Sequence, residues 1–320
     1  HVKRFASPFH DLGRMMPLVR LWFHLFRDIA PRVDIVNDIL EWKPNVLISH
    51  NLTGCGIGTP SLVQRKGIPW IHILHDIQLT EPSGQLFATD VMKSAKRLWR
   101  AFWARYRKSL FFGRPTILMS PTSWLLAWHQ NYGFKGMENR VVPNPIEIHP
   151  VDLRIRTSPG TLLYVGRLSY DKGFDQLLEA IPMIERTDIG KIKIIGDGPL
   201  QQKIYDVHDD RLEWLGVVSP QEVREAIRDS EILIATSRLL ENQQTILLEA
   251  MAEGTPVIAT DVGGTRETLD QTDCPLVPPH IDVPKEIAYQ IHALMNDQIH
   301  WRTVSNHLRD ASRFMIVSST

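Results

Sequence analysis

The sequence predicts an α/β protein with two domains. In both halves, short apolar runs of strand length alternate with segments of helical periodicity, and glycine or proline turns separate them. With 320 residues, of which 43% are hydrophobic and 22% charged, the chain is long enough to bury two cores. The stretch 141–160 is rich in proline and has no periodicity, so it is the predicted hinge. We place one domain at residues 1–147 and the other at 148–320.

The amino-terminal half begins with helical patterns at 14–30 and 32–41. Three strands are predicted after them, over residues 46–49, 70–74 and 116–120. His50 follows the first strand and His75 follows the second. Ligands of parallel sheets lie beyond the carboxyl ends of the strands, so both histidines are candidate site residues. A single histidine after an apolar strand is more often a structural group, and the residues alone leave both interpretations of His75 open.

The carboxyl-terminal half contains five further predicted strands, over residues 161–165, 191–195, 212–215, 231–235 and 256–260. Ser219 and Glu222 form a capping-box pattern with Pro220 at the first helical position, which predicts a helix start. This half therefore also alternates strand and helix.

The stretch from Glu241 to Glu267 combines a loop, a short helix and a strand. We predict that Thr245 caps the helix and that Gly254 ends it. The loop and the first helical turn then lie at a ligand-binding edge, where free helix N–H groups attract anions. Glu241 and Glu249 would lie about 12 Å apart on one continuous helix, but a loop residue and a helical residue can converge on one ligand. Two solvated surface carboxylates are the alternative.

The turn after the first strand of this half contains Gly166, Arg167 and Lys172. Glycine lets the backbone approach a diphosphate, arginine offers a two-pronged donor, and lysine adds a point charge. Two surface cations beside a turn are the alternative interpretation. A second turn, Gly196-Asp197-Gly198, is not a G-x-G-x-x-G pattern, so it gives little support to dinucleotide binding.

Four segments together resemble family 4 of the retaining, nucleotide-sugar-dependent glycosyltransferases, which have the GT-B fold. They are the Glu-x7-Glu pair, LLEAMAEGTPVIATDVGG, YVGRLSYDKG and IIGDGPL. The similarity is specific over residues 160–270 and looser over 44–147. It implies two Rossmann-like domains facing an interdomain cleft, with the acceptor on the amino-terminal side and the donor on the carboxyl-terminal side.

The resemblance also implies a set of site residues. Arg167 and Lys172 would bind the donor diphosphate, Glu241 the sugar hydroxyls and Glu249 the ribose, while His75 would face the transferred sugar. Helix N–H groups would assist. The implied catalytic residues are Glu241, His75, Arg167 and Lys172. The implied donor-binding residues are Gly166, Arg167, Lys172, Gly196, Asp197, Gly198, Thr245, Ile246 and Glu249.

The expected reaction moves a hexose-type sugar from a nucleoside diphosphate sugar to a hydroxyl of a glycan or lipid-linked acceptor, with retention. The nucleotide sugar is a co-substrate, and no cofactor or metal is expected because no Asp-x-Asp pair is present. Family members begin with a strand and a glycine-rich turn that are not recognisable here. The resemblance therefore implies that the first part of the acceptor-side domain is missing, and the last residues also depart from the family's closing helix.

The even charge balance of the chain conceals two oppositely charged halves. Residues 1–150 contain 19 Lys and Arg against 10 Asp and Glu, whereas the remainder contains 17 against 26. Much of the basic excess lies at 93–114, where cations alternate with the aromatic residues Trp99, Phe102, Trp103, Phe111 and Phe112. Such a helix could lie on an anionic bilayer, or it could be a solvated helix packed on its own domain. Nucleic acid explains it less well because no binding motif accompanies the charge.

The two cysteines form neither a disulfide framework nor a zinc pattern, which favours a reducing compartment. No run approaches the roughly 18 apolar residues of a membrane span. We expect a cytoplasmic protein, with peripheral contact at the inner membrane face as an extension. Three other classes stay open: a non-catalytic sugar-nucleotide-binding paralogue, a GT-B epimerase and a nucleic-acid-binding protein.

Overall fold

A computed structural model describes residues 16–22, 26, 30–91, 93–110, 113–146 and 159–313. The chain divides into two compact units. The amino-terminal unit comprises His1–Leu86 and Met92–Val142, and the carboxyl-terminal unit comprises Phe87–Val91 and Pro143–Thr320. Most of the segment that the sequence predicts as a hinge lies outside the described residues.

The amino-terminal unit contains a four-stranded parallel sheet in the order β1-β2-β3-β4. Its elements are α1 (Pro17–Trp22), α2 (Val33–Trp42), β1 (Leu47–Ser49), α3 (Thr59–Arg65), β2 (Trp70–Ile73), α4 (Ser94–Leu110), β3 (Ile117–Ser120), α5 (Ser123–Asn131) and β4 (Glu138–Val141).

Burial in this sheet falls from the centre to the edges. In β2, Trp70 and His72 are buried, and Ile71 and Ile73 are partly exposed. The edge strand β4 is exposed at all four positions, with the sequence Glu-Asn-Arg-Val. The sequence analysis does not predict β4, because an exposed edge strand lacks the apolar run on which the prediction depends.

The carboxyl-terminal unit contains a six-stranded parallel sheet in the order β10-β9-β8-β5-β6-β7. Its elements are β5 (Gly160–Val165), α6 (Phe174–Ala180), β6 (Ile189–Ile195), α7 (Lys203–Asp206), β7 (Leu212–Gly216), α8 (Pro220–Arg228), β8 (Ile232–Ala235), α9 (Thr245–Glu253), β9 (Val257–Thr260), α10 (Thr265–Thr268), β10 (Leu276–Val277), α11 (Val283–Asn296) and α12 (Gln298–Arg313).

The strand order of this sheet determines where a ligand can bind. From β5 the chain proceeds to β6 and β7 on one side, and β8, β9 and β10 then extend the sheet on the other side. The order therefore reverses between β5 and β8, and ligands of open α/β sheets bind beyond the carboxyl ends of the strands at such a point. The loops that follow Val165 and Ala235 meet there.

Two local predictions concern helix starts. The capping box of α8 is confirmed, because the Ser219 hydroxyl accepts a hydrogen bond from Glu222 N (3.3 Å) and the Glu222 carboxylate accepts one from Ser219 N (2.8 Å). The prediction that Thr245 caps α9 is wrong. Thr245 is already the first helical residue, and the cap position belongs to Gln244, whose side chain instead donates to Thr265 Oγ1.

Both units alternate strands and helices around a parallel sheet, which confirms the predicted α/β class with two Rossmann-like domains. The central strands of the carboxyl-terminal sheet are buried more completely than those of the amino-terminal sheet. All four residues of β8 and all four of β9 are buried, as expected for central parallel strands covered on both faces.

Candidate functional site

A cavity of about 850 Å³ lies at the point where the strand order of the carboxyl-terminal sheet reverses. This volume is within the usual range for small-molecule sites, roughly 300–1,000 Å³. The cavity is bounded by the ends of β5 and β8 and by the helices α8 and α9. Its lining residues are Pro145, Ile146, Tyr164, Val165, Gly166, Lys172, Val218, Pro220, Val223, Arg224, Ile234, Ala235, Thr236, Ser237, Glu241, Gln243, Gln244, Thr245, Ile246, Glu249, Ala252 and Glu253.

Two glycines let the loops of the site approach one another closely. Gly173 has φ of +66°, and a Cβ there would lie 1.9 Å from the carbonyl oxygen of Thr236. Gly263 has φ of +62°, and a Cβ there would lie 2.0 Å from the carbonyl oxygen of Glu241. Any side chain would separate these backbones. Gly173 therefore lets the loop of Lys172 approach the end of β8, and Gly263 lets the loop after β9 approach Glu241.

Lys172 and Glu241 form an ion pair in the wall of the cavity. Lys172 Nζ lies 2.6 Å from Glu241 Oε1, and the Ser237 hydroxyl donates to the same oxygen at 2.6 Å. The side chains are 35% and 16% exposed, so the pair is partly shielded from water. The fold thus joins two predicted site residues that are 69 positions apart in sequence.

Arg167 lies differently from the prediction that it binds the donor. Its Nη2 atom forms an ion pair with Asp171 Oδ2 at 2.5 Å, and its side chain is 54% exposed. Gly166 lines the cavity, but Arg167 is not among the described residues that do so. Burial alone would raise the pKa of Asp171, but the hydrogen bond from Arg167 and the charge of that guanidinium hold the pKa below its ordinary value.

The first turn of α9 presents backbone N–H groups at the cavity. Thr245 and Ile246 line the cavity, the cap residue Gln244 makes no side-chain capping bond, and the turn contains no acidic residue. Such a helix start favours an anion. Glu249 lies one turn further along the cavity wall, where burial raises the pKa of its carboxyl group and the charge of Arg224 opposes that shift.

Gly196, Asp197 and Gly198 contact the turn that contains Gly166, outside the cavity lining. None of the three is among the described lining residues. The Asp197 carbonyl accepts a hydrogen bond from Leu168 N (2.7 Å), and a Cβ on Gly196 would lie 2.0 Å from the Gly166 carbonyl oxygen. These residues hold the backbone of the Gly166 turn in place.

Arg238 is a site-supporting residue that the sequence analysis does not identify. Its guanidinium binds both carboxylate oxygens of Asp175 at 2.5 and 2.9 Å and donates to the Tyr170 carbonyl at 2.9 Å. It also lies 4.0 Å above the centre of the Tyr170 ring. Arg238 therefore connects the loop of Glu241 to the loop of Lys172. No sequence motif surrounds it, because its partners come together only in the folded unit.

His75 lies in the amino-terminal unit, just beyond the end of β2. Its Nε2 atom is 2.7 Å from His50 Nδ1, and the two exposed rings stack with their centres 5.0 Å apart. The pKa of His75 is below its ordinary value, chiefly through burial and secondarily through His50. The two histidines predicted at strand ends therefore contact each other.

Helix α4 carries the basic and aromatic stretch of the amino-terminal unit. Leu98, Trp99 and Phe102 are 69%, 40% and 55% exposed, and the helix contains no acidic residue. Trp103 is fully buried, and the guanidinium of Arg107 lies 4.8 Å from its ring centre. Trp103 therefore packs inside the unit and is not part of the exposed face of α4. Phe111 and Phe112 lie outside the described residues.

No group of three or more His, Cys, Asp or Glu side chains in the described part of the chain is arranged to hold a metal ion. None of the helices within the described ranges is both long and apolar enough to cross a membrane.

Part of the carboxyl-terminal unit is similar in sequence to a known protein family. Residues 159–297 match the family described as Glycosyl transferases group 1. The match covers less than half of the chain. The matched stretch contains the Lys172–Glu241 pair, α9 and every lining residue of the cavity except Pro145 and Ile146. The fold is that of the GT-B glycosyltransferases, as the superposition below shows.

Two curated relatives illustrate the extent of the similarity. An uncharacterized glycosyltransferase of Methanocaldococcus jannaschii is 31% identical over 113 residues, which are 34% of this chain and 29% of that protein. The chain thus matches less than a third of that relative's length. An uncharacterized protein from the cps region of Klebsiella pneumoniae is 22% identical over 265 residues, which cover 80% of this chain and 68% of that protein.

The fold is similar to that of solved structures. HepE of Anabaena, solved in complex with UDP, superposes with a TM-score of 0.65 at 16% identity. The superposition covers 88% of this chain and 78% of HepE. At this level of identity the similarity establishes the fold, and the site roles depend on the residues themselves.

Proposed function

We propose that the protein binds a nucleoside diphosphate sugar in the carboxyl-terminal cavity and transfers a hexose-type sugar, with retention, to a hydroxyl of a glycan or lipid-linked acceptor. The observation that carries the proposal is that the Lys172–Glu241 pair and the first turn of α9 line one cavity of about 850 Å³ and belong to the stretch that matches the group 1 family. The HepE structures in complex with UDP and with UDP-glucose support a nucleotide sugar as the ligand.

The cavity offers matching chemistry for each part of such a donor. Lys172 and the N–H groups of α9 supply positive potential for a diphosphate. Glu241 and Ser237 offer oxygen atoms to sugar hydroxyls, and Glu249 offers a carboxylate to a ribose. The apolar side chains of Ile146, Val218 and Val223 also line the cavity and provide a surface for a base.

The transfer step requires stabilisation of a leaving diphosphate. The bond between the anomeric carbon and the phosphate oxygen breaks, and the acceptor hydroxyl forms a new bond on the same face while its proton passes to the leaving oxygen. Lys172 stabilises the charge that develops on that oxygen, and preorganised charge of this kind is a large contribution to catalysis. Glu241 is held by Lys172 and Ser237, so we assign it to sugar binding and not to nucleophilic attack.

Turnover with UDP-, GDP- and ADP-sugars and simple glycoside acceptors, followed by NMR of the product anomer, tests the proposal. The expected product retains the anomeric configuration of the donor. Lys172→Ala lowers turnover by roughly a hundredfold because one charge-stabilising donor is lost. Lys191→Ala is the matched control, since Lys191 also pairs with a glutamate, Glu213 at 2.6 Å, but does not line the cavity.

The possible outcomes of this assay separate the rival classes. An inverted product would refute retention. Donor consumed without acceptor and recovered as an isomer would indicate an epimerase. Tight donor binding with no product from any acceptor would indicate a non-catalytic binding protein.

We also propose that turnover requires no metal ion, because Lys172 and helix N–H groups supply the positive charge that a divalent cation would otherwise provide. Activity is expected to persist after treatment with EDTA. Loss of turnover in EDTA that Mn²⁺ restores would refute this proposal, and assay of the wild-type protein with EDTA saturated beforehand with Mg²⁺ controls for inhibition by the chelator itself.

The exposed face of α4 is our proposed contact with an anionic membrane surface, in a cytoplasmic protein bound at the inner face. Leu98, Trp99 and Phe102 project from a helix that has cations and no acidic residue, which is the pattern of interfacial helices. Co-sedimentation with phosphatidylcholine vesicles, with and without phosphatidylglycerol, measures the contact.

The triple variant Trp99→Ala, Phe102→Ala, Arg105→Ala is expected to lose the binding that depends on phosphatidylglycerol. Tyr289→Ala is the control, because Tyr289 is 62% exposed on α11 of the other unit. Equal binding of the triple variant and the wild-type protein would show that α4 is only a solvated helix.

A further inference from the structure

The two cations predicted to bind the donor diphosphate are each paired with a carboxylate, but in different places. Lys172 pairs with Glu241 inside the cavity wall. Arg167 pairs with Asp171 at 2.5 Å, and neither side chain is among the described residues that line the cavity. The arginine best suited to two-pronged phosphate binding is therefore held by a competing acid.

The backbone on both sides of this ion pair is fixed. The Tyr164 hydroxyl donates to the Arg167 carbonyl at 3.1 Å, and the Asp171 carbonyl accepts a hydrogen bond from Arg238 N at 3.0 Å. Gly166, the residue before Arg167, lines the cavity. Rotation of the Arg167 side chain alone, without movement of the backbone, can therefore exchange one anionic partner for another.

We propose that Asp171 sets donor affinity by competing with the donor diphosphate for the guanidinium of Arg167. The inference rests on the proposed function, since it requires a diphosphate ligand at this turn. A diphosphate carries more negative charge than one carboxylate, so it wins the exchange, but breaking the Arg167–Asp171 pair reduces the net gain. When the product nucleoside diphosphate leaves, Asp171 recovers Arg167.

Charge and exposure determine how large the effect can be. The hydrogen bond and charge that lower the pKa of Asp171 keep it ionised near neutral pH, so the competition operates there. Arg167 is more than half exposed, and exposed ion pairs are worth little. Removal of the competing charge is therefore expected to tighten nucleotide binding by about three- to fivefold.

A double-mutant cycle in calorimetric titrations tests the proposal. The ligand is whichever of UDP, GDP and ADP the wild-type protein binds, and the variants are Asp171→Asn, Arg167→Ala and the double variant. Asp171→Asn is expected to bind about three- to fivefold more tightly than the wild type, and Arg167→Ala more weakly. In the Arg167→Ala background, Asp171→Asn is expected to bring no gain.

Controls exclude effects of net charge and of folding. Asp210→Asn also removes a carboxylate that is paired with an arginine, 2.7 Å from Arg186 and outside the cavity lining, so the affinity of this variant is expected to equal the wild-type value. Circular dichroism verifies that each variant folds. Asp171→Ser provides a second variant without the charge and is expected to tighten binding in the same direction.

Each contrary result has a distinct meaning. Unchanged or weaker binding by both Asp171 variants would overturn the competition while leaving the proposed function intact. A gain of equal size with and without Arg167 would also overturn it, because Asp171 would then act only as a nearby negative charge. Failure of the wild-type protein to bind any of the three nucleotides would overturn the proposed function and this inference with it.

Discussion

The two units bury their parallel sheets with different side chains. In the carboxyl-terminal unit, every residue of the central strands β8 and β9 is buried and most are aliphatic. In the amino-terminal unit, burial also includes the arginines Arg100 and Arg107 and the histidines His72 and His129. His72 and His129 are the only buried histidines among the described residues.

The two units therefore differ in the interactions that stabilise them. Hydrophobic burial and close packing hold the central strands of the carboxyl-terminal unit. That unit also buries the charged residues Arg211, Asp188, Glu231 and Glu253, but no histidine among its described residues. Buried basic groups must find partners or lose their charge, so the amino-terminal unit depends on pH and on specific contacts. The contacts around Trp103, Arg107, His72 and His129 are where the comparison can be tested.

The largest expected effect is at Trp103. Trp103→Ala removes a fully buried aromatic ring and the partner of the Arg107 guanidinium, so we expect a loss of about 3–5 kcal/mol in the free energy of unfolding. Urea denaturation measures it. Leu98→Ala, on the same helix and 69% exposed, is the matched control and should change stability by less than about 0.5 kcal/mol. Similar losses from both variants would show that α4 does not pack by its Trp103 face.

The next effect is the pH dependence of the amino-terminal unit. Burial lowers the pKa of His72 to about 3 and that of His129 to about 4. The unfolded histidines bind protons below about pH 6.5 and the folded ones do not, so stability is complete above that pH and falls as pH decreases towards 4. We expect a loss on the order of 2 kcal/mol per histidine between pH 6.5 and 4.5.

Urea midpoints of the wild-type protein and of His129→Gln at pH 7 and pH 4.5 measure this dependence. The variant lacks one titrating group, so it should lose less stability between the two pH values than the wild type does. Hydrogen exchange resolved by peptide assigns the loss to one unit. An equal loss of protection in the carboxyl-terminal unit would contradict the comparison.

The smallest effect compares one helix cap in each unit. The Thr122 hydroxyl caps α5 and is buried, whereas the Ser219 hydroxyl caps α8 at the surface. Loss of a cap typically costs about 1 kcal/mol, so Ser219→Ala should lower stability by about that amount and Thr122→Ala by up to about 2 kcal/mol. Thermal unfolding measures both. A larger loss at Ser219 would indicate that α8 depends on its cap more than on its packing.

Sequence reasoning succeeded where a structure is specified locally. The capping box at Ser219 and the end of α9 at Gly254 depend on residues within one turn, and both are confirmed. Thr245 also fits the pattern of a cap residue, but α9 begins one residue earlier than that prediction requires. A residue type preferred at caps does not by itself fix the residue at which a helix starts.

The remaining features depend on contacts between distant residues. Trp99 and Trp103 follow the same pattern of apolar and basic neighbours, and only the residues that pack against α4 make one exposed and the other buried. Arg238 lies in a polar loop without a motif and acquires its role from Asp175 and Tyr170. The Lys172–Glu241 pair joins two segments that the family resemblance identifies separately, and periodicity gives no distance between them.

We propose that Lys172 and the cavity around it bind a nucleoside diphosphate. A calorimetric titration with UDP, GDP and ADP tests it most directly, using the wild-type protein, Lys172→Ala and the control Lys191→Ala. We predict that one nucleotide binds with micromolar affinity, that Lys172→Ala weakens it by about thirtyfold through loss of a charge-assisted contact, and that Lys191→Ala leaves it unchanged. Absence of binding by all three nucleotides, or equal binding by Lys172→Ala and the wild type, would contradict the claim.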